Sequence, residues 1–342
     1  MNKSIKYVFD FAKQILAIPS PSGYCQTIIE FVLAEARKLG YEASLSKKGN
    51  ALIRVKGSTN RQLGLSAHVD TLGAMVKSIT ADGNLKFTTV GGPIWPTLDG
   101  EYVTIQTRQG KTYTGTFLST SPSAHVFKDA STKERTPEQM LVRIDEIVHS
   151  KDDVVKLGIA PGDFIFIDPK TEITKSGFIK SRFLDDKISV AILFGLLKEL
   201  KEEKLVPAKT LTLIISTYEE VGHGASSLPP LDELIAVDMG CIGDDLSCTE
   251  EKVSICCKDS SGPYDYEIVN RLVRLAKTQS VDYATDIYPF YGSDVSAALR
   301  AGNDLRGGLI GPGVHASHGM ERTHTKAIEN TLKLVKAVVM EQ

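Results

Sequence analysis

The sequence predicts an α/β protein: a mostly parallel sheet flanked by helices, interrupted by a β-rich insert. Three observations carry this. Short apolar, strand-like runs alternate with amphipathic helical segments in the first 70 and the last 170 residues. Between about 74 and 174 the character changes to short alternating segments rich in Thr, Tyr and Val with turn residues between them. The chain of 342 residues, 42% hydrophobic and 24% charged, is long enough for one large domain or two unequal ones.

In chain order, residues 4–17 and 25–39 carry apolar positions at three- and four-residue spacing, and PSPSG between them breaks the helix. NALIRVK (50–56) and LGLSAHV (63–69) read as strands, the second apolar enough to be covered on both faces. LKFTTV, YVTIQTR and YTGTFLS are strands of the insert, and LGIAPGDFIFID (157–168) is a turn leading to its last strands. The alternating rhythm then returns: helix 185–203, strand 210–217, strand 234–238, helix 264–279, strand 281–287, helix 294–301, strand 306–311 and helix 326–341. The expected division is therefore 1–73 with 175–342 as one α/β domain and 74–174 as an inserted β-rich domain.

Forty Lys and Arg against 42 Asp and Glu give a formal charge of -2, so there is no basic field to gather phosphates and nucleic acid is not an expected partner. No apolar run approaches the roughly 20 residues of a membrane helix, and the opening MNKSIKYVFDFAKQ lacks the apolar block of a secretory signal. Five cysteines, Cys25, Cys241, Cys248, Cys256 and Cys257, are an odd number without a CxxC pair, which fits a reducing cytoplasm and packing roles. Cytoplasmic localisation is the expectation.

In open α/β sheets ligands bind beyond the carboxyl ends of the strands. His68 and Asp70 close LGLSAHVD, Asp185-Asp186 precede a helix, Glu219-Glu220 close TLTLIISTYEE, and Asp238 closes ELIAVD. Strand periodicity puts His68 and Asp70 on one face, where the aspartate could fix the histidine tautomer for a metal or simply mark a strand turning polar. Adjacent glutamates at the end of a buried strand repel unless a cation is near. An N-cap explains one of Asp185 and Asp186, not both. His315, His318 and His324 compete for one role near the end of the chain; His315 and His318 lie in a Gly-rich stretch, and His324 directly precedes the last helix. Jointly these residues form a nitrogen-and-oxygen donor set without thiolate, suited to zinc, cobalt or manganese. The carboxylates are too many for one tetrahedral zinc. Two divalent ions roughly 3.5–4 Å apart, one aspartate bridging, would use them.

The succession HVDTLG (68–73), FLDDK (183–187), YEEVGHGA (218–225), AVDMG (236–240) and ERTHT (321–325) resembles the M42 family of dinuclear metallo-aminopeptidases, relatives of glutamyl and deblocking aminopeptidases. The resemblance covers almost the whole chain; DGNLKFTTVGG (82–92) and KLGIAPGDF (156–164) look like the family's dimerisation domain. It implies a zinc-peptidase-like fold and two divalent ions per subunit. His68 and Asp238 would be ligands on one ion, Glu220 and His324 on the other, and Asp185 would bridge them across a cis peptide bond to Asp186. It further implies that Asp70 orients His68, that Glu219 is the general base, and that Asp294, in YGSDVSA (291–297), lies near the substrate cleft. Tyr218 and Lys187 stand where the family commonly has Gln and Arg, and Arg322-Thr323-His324-Thr325 where it has Arg-Tyr-x-His-Ser.

The function so implied is removal of N-terminal residues from peptides. Some family members are labelled endoglucanases, but a glycosidase needs two carboxylates astride a sugar and has no use for the histidines. Hydrolysis of N-acyl amino acids would use the same metal pair on another amide. The resemblance also implies a homo-oligomer, such as a dodecamer built from dimers. The single tryptophan, Trp95 in GGPIWPTLDG, suits either an interface or the core of the insert.

Overall fold

The computed structural model describes residues 3–341. The chain divides into two compact units, Met1–Asp70 with Lys170–Gln342, and Thr71–Pro169.

The first unit is built on a mixed sheet. Its spine is four parallel neighbours, Thr210–Ser216, Gln62–His68, Glu233–Val237 and Arg306–Val314. Apart from its two ends, this spine is almost wholly buried, as the continuous apolar runs require. Antiparallel pairing begins outside it: Ala51–Val55 on Thr210–Ser216, and Val253–Asp259 on Arg306–Val314. The sheet is thus mixed around an all-parallel spine. Val253–Asp259 is an unexpected strand: in VSICCKD the paired cysteines disguise an ordinary buried run.

The helix Leu184–Glu202 is buried over most of its length, packing on strand Gln62–His68 and on helices Lys3–Leu16 and Thr325–Met340. Phe11 and Phe194 stack at 4.5 Å across the first of these contacts. A small sheet joins Glu172–Ile173, Phe178–Ser181 and Glu321–His324, pairing Ser181 with Glu321.

The second unit is a closed barrel of six strands in the order Gly73–Ile79, Leu85–Val90, Met140–Ile144, Thr112–Ser119, Tyr102–Gln106, Phe164–Ile167. Trp95 is buried in it against Phe87 and Phe117, with ring centroids 4.8 and 5.6 Å away, so it is a core residue of the barrel. A short helix, Lys151–Leu157, begins where the Ser150 side chain accepts from the Asp153 N–H and stops at Gly158. No helix among the described residues is long and apolar enough to cross a membrane.

Candidate active site

Parallel pairing sets Ser216 beside His68, so the turn that follows Ser216 lies at the same sheet edge as His68 and Asp70. Asp238 follows the next strand along that edge. The strand Arg306–Val314 runs so close behind it that a Cβ on Gly311 would sit 1.7 Å from the Asp238 carbonyl oxygen; no other residue type fits there. Asp185 and Asp186 come from the irregular first turn of Leu184–Glu202, and the bond between them is cis.

Asp70 is fully buried and organises two neighbours at once. Its carboxylate accepts from Ser22 Oγ at 2.5 Å and from the backbone N–H groups of Glu219 and Glu220 at 3.1 and 3.2 Å, which fixes the turn carrying both glutamates. Its carbonyl oxygen lies 3.0 Å from His68 Nδ1. Orientation of His68 is thus chiefly the work of the Asp70 main chain, the nearest carboxylate oxygen being 3.5 Å away. With Nδ1 donating, the Nε2 of a neutral His68 is the lone-pair nitrogen.

That Nε2 lies 3.1 Å from Asp185 Oδ1 and 3.6 Å from Glu219 Oε2. The other oxygen of Asp185, Oδ2, is 3.6 Å from His318 Nε2, and the same nitrogen is 3.6 Å from Glu220 Oε2. One buried carboxylate therefore faces two imidazoles, one per oxygen. Ligand atoms of His68, Asp185 and Glu220 lie within 4.8 Å of one another, as do those of His68, Asp186 and Asp238.

The electrostatics are those of a site short of positive charge. Burial, reinforced by neighbouring carboxylates, drives Glu219, Glu220 and Asp186 well above the ordinary carboxyl range and Asp238 to about 7. Burial alone would lower His68, but its contacts with Asp185 and Asp70 hold the imidazolium well above the usual histidine value. Asp185 is also pushed up by burial, yet its hydrogen bond to His68 brings it below the usual value. The buried Oε1 of Glu220 has no hydrogen-bond partner among the described residues. An acceptor left bare in a buried carboxylate cluster is what a cation would satisfy, and these donors suit a divalent ion with affinity for nitrogen and oxygen.

His68, Asp70, Asp185, Glu219, Glu220 and Asp238 are therefore gathered as the sequence suggested, and one expectation is corrected. His324 is not with them: its Nε2 lies 2.9 Å from the Ser176 carbonyl, its Nδ1 accepts from the Lys326 N–H, and its ring packs edge-on to Phe178. Both nitrogens are engaged in capping the last helix and holding the small sheet. His318 reaches the cluster instead, from a loop in which Ala316 and His318 itself adopt left-handed backbone. A loop of this kind has no periodicity to betray it. Asp294, expected near the substrate cleft, is buried at the glutamate turn: it accepts from Ser216 Oγ at 2.7 Å and from the Ala225 N–H at 2.9 Å, clamping both ends of that turn. Gly224 makes room for it, since a Cβ there would lie 2.2 Å from Asp294 Oδ1.

The sequence model of the M42 glutamyl aminopeptidase family matches residues 49–334. A Bacillus subtilis (strain 168) protein carrying the provisional name aminopeptidase YhfE is 47% identical over 335 residues, 97% of each chain. The fold is similar to that of a TET aminopeptidase from a marine sediment thaumarchaeote, at TM-score 0.89 and 18% identity over 98% of this chain and 96% of that one. It is also similar to the Pyrococcus horikoshii TET1 peptidase, described as assembling into a tetrahedron or a large octahedral shell, at TM-score 0.85 and 23% identity over 98% of this chain and all of the other. With its sequence matched to the family over most of its length, the chain belongs to the M42 glutamyl aminopeptidase family.

Proposed function

We propose that this protein is a two-metal aminopeptidase that removes N-terminal residues from peptides. The observation that carries the reading is Asp185, whose two oxygens face His68 and His318 separately, the disposition a carboxylate shared between two cations requires. On this reading His68 and Asp238 would hold one divalent ion, Glu220 and His318 the other, and Asp185 would serve both. Zinc and cobalt suit the donors best, and manganese is compatible. Such ions supply Lewis-acid polarisation of the scissile carbonyl and make water more acidic.

Glu219 belongs to neither donor group, lies beside His68 and is tied at its backbone by Asp70. That frees its carboxylate to take a proton from the attacking water and return it to the departing amine. Asp70 and Asp294 are positioning residues, holding the glutamate turn from opposite sides. The imidazoles disfavour the endoglucanase reading, which has no role for them.

Assembly beyond the monomer fits the shells named for the structural relatives, and the barrel unit exposes Tyr102, Val126 and Ile147, apolar surface of the kind that contacts use. Residence in a reducing cytoplasm fits five cysteines that are all free. The deciding experiment assays aminoacyl chromogenic substrates, N-acyl amino acids and a soluble cellulose side by side, after chelation and with Zn²⁺, Co²⁺ or Mn²⁺ restored. Metal-dependent release from the aminoacyl substrates alone is expected; chelator-resistant activity or hydrolysis of cellulose would overturn the reading.

A further inference from the structure

Glu321 is a buried carboxylate to which neither the reaction nor the donor set gives a role. It opens the strand Glu321–His324, opposite Ser181 of the strand Phe178–Ser181. This pairing brings together two loops that are far apart in sequence: Arg182–Asp185, leading into the long helix, and Ala316–Glu321. Each loop delivers one residue to the cluster, Asp185 and His318.

The carboxylate bridges them. Its Oε2 accepts from the Asp185 N–H at 3.0 Å, and its Oε1 accepts from the His318 N–H, also at 3.0 Å. Both loops are held in uncommon backbone: Phe183 has φ 69, Ala316 φ 58 and His318 φ 63, all left-handed and none of them glycine. Such residues each cost of order 1–3 kcal/mol and persist only where their surroundings over-determine them. One carboxyl group accepting from two backbone N–H groups through separate oxygens provides that constraint.

We infer that Glu321 is a positioning residue that locks Asp185 and His318 in register with each other, so that the cation site between them forms before any ion arrives. Two features favour this over a general role in folding. The contacts are to the backbones of the two donor residues themselves, and they are made by separate oxygens of one carboxylate. An amide cannot reproduce them, because one of its two ends is a donor that would face an N–H. A shorter carboxylate keeps both acceptor oxygens but not the span.

The inference rests on the metal reading above, and the test keeps the two apart. Co²⁺ is titrated into ion-free wild type, Glu321→Gln and Glu321→Asp, following the visible absorption spectrum, chelator competition and thermal unfolding without metal. For Glu321→Gln the expected result is ion-free unfolding within a few degrees of wild type, with the weaker of the Co²⁺ affinities reduced about 10–100-fold, the usual cost of losing a group that orients a ligand. Its Co²⁺ spectrum should also change shape. Glu321→Asp should restore neither span, leaving affinity below wild type. Wild-type affinity and spectrum in Glu321→Gln would overturn the inference. So would failure of both variants to fold, which would assign Glu321 to the fold as a whole. Absence of Co²⁺ binding in wild type would instead overturn the metal reading itself.

Discussion

Glu233 and Asp238 bracket one strand, Glu233–Val237, and differ in almost everything but charge. At the amino end, Glu233 is buried between Arg271, which grips it through two nitrogens at 3.0 and 2.7 Å, and Lys209 at 2.9 Å. Burial pushes its carboxyl up, but these cations overcome that and hold it at about 2. At the carboxyl end, Asp238 is equally buried and pairs with no Arg or Lys among the described residues; burial and Asp185 raise it to about 7 against the opposing pull of His68. One end of the sheet has been supplied with its counter-charge by the chain, and the other has not. A buried carboxylate paired within the protein is structural, whereas on the function proposed above a cluster of them around two imidazoles is completed by an added cation.

The largest effect should come from within the unpaired end. Glu219→Gln keeps the donors and the backbone tie to Asp70 but removes the proposed base, so kcat should fall about 10²–10⁴-fold while metal content is unchanged. Kinetics beside metal analysis checks this; a variant with wild-type kcat would remove Glu219 from the chemistry.

The paired end should respond in stability alone. Glu233→Gln leaves Arg271 and Lys209 facing a neutral group and should cost about 3 kcal/mol at pH 7. The sign follows from the lowered carboxyl: a group held at about 2 contributes stability above the ordinary value near 4.5 and loses it as pH falls toward 2. Chemical unfolding of the two proteins between pH 7 and 3 should therefore converge, and a constant gap would contradict the pairing.

Asp238→Asn should do the opposite in the ion-free protein. A carboxyl raised to about 7 costs the fold stability as pH climbs from about 4 through 7, so its neutral replacement should make ion-free protein about 1–2 kcal/mol more stable at pH 8 and little different at pH 4. Added Zn²⁺ should stabilise this variant far less than wild type. Thermal unfolding with and without the ion would show whether the two ends of the strand truly differ in this way.

Much of this arrangement was legible in the sequence because it rides on regular structure. His68, Glu219, Glu220 and Asp238 end apolar runs whose length and β-branched content mark them as strands, and the parallel order then gathers those ends on one edge. The helix Leu184–Glu202 was legible from the alternating helix and strand rhythm, and with it came Asp185. What was not legible depends on contacts between distant segments. His318 sits among Ala316, Ser317 and Gly319, where nothing repeats, and only the acid three residues on, which accepts its N–H, offered a local hint. His324 looked better placed because it precedes a helix, but that position is itself its employment: Nδ1 caps the helix. The strand Val253–Asp259, missed behind Cys256-Cys257, adds an antiparallel neighbour to Arg306–Val314 without moving any donor.

The central claim is that the carboxylate cluster is completed by His318 and not by His324, and that it holds divalent ions. Zn²⁺ bound per subunit after dialysis against a weak chelator, measured for wild type, His318→Ala and His324→Ala, tests it most directly. Two ions in wild type and in His324→Ala, with one lost from His318→Ala, is the predicted result; ion loss confined to His324→Ala, or no retained Zn²⁺ in any of the three, would contradict it.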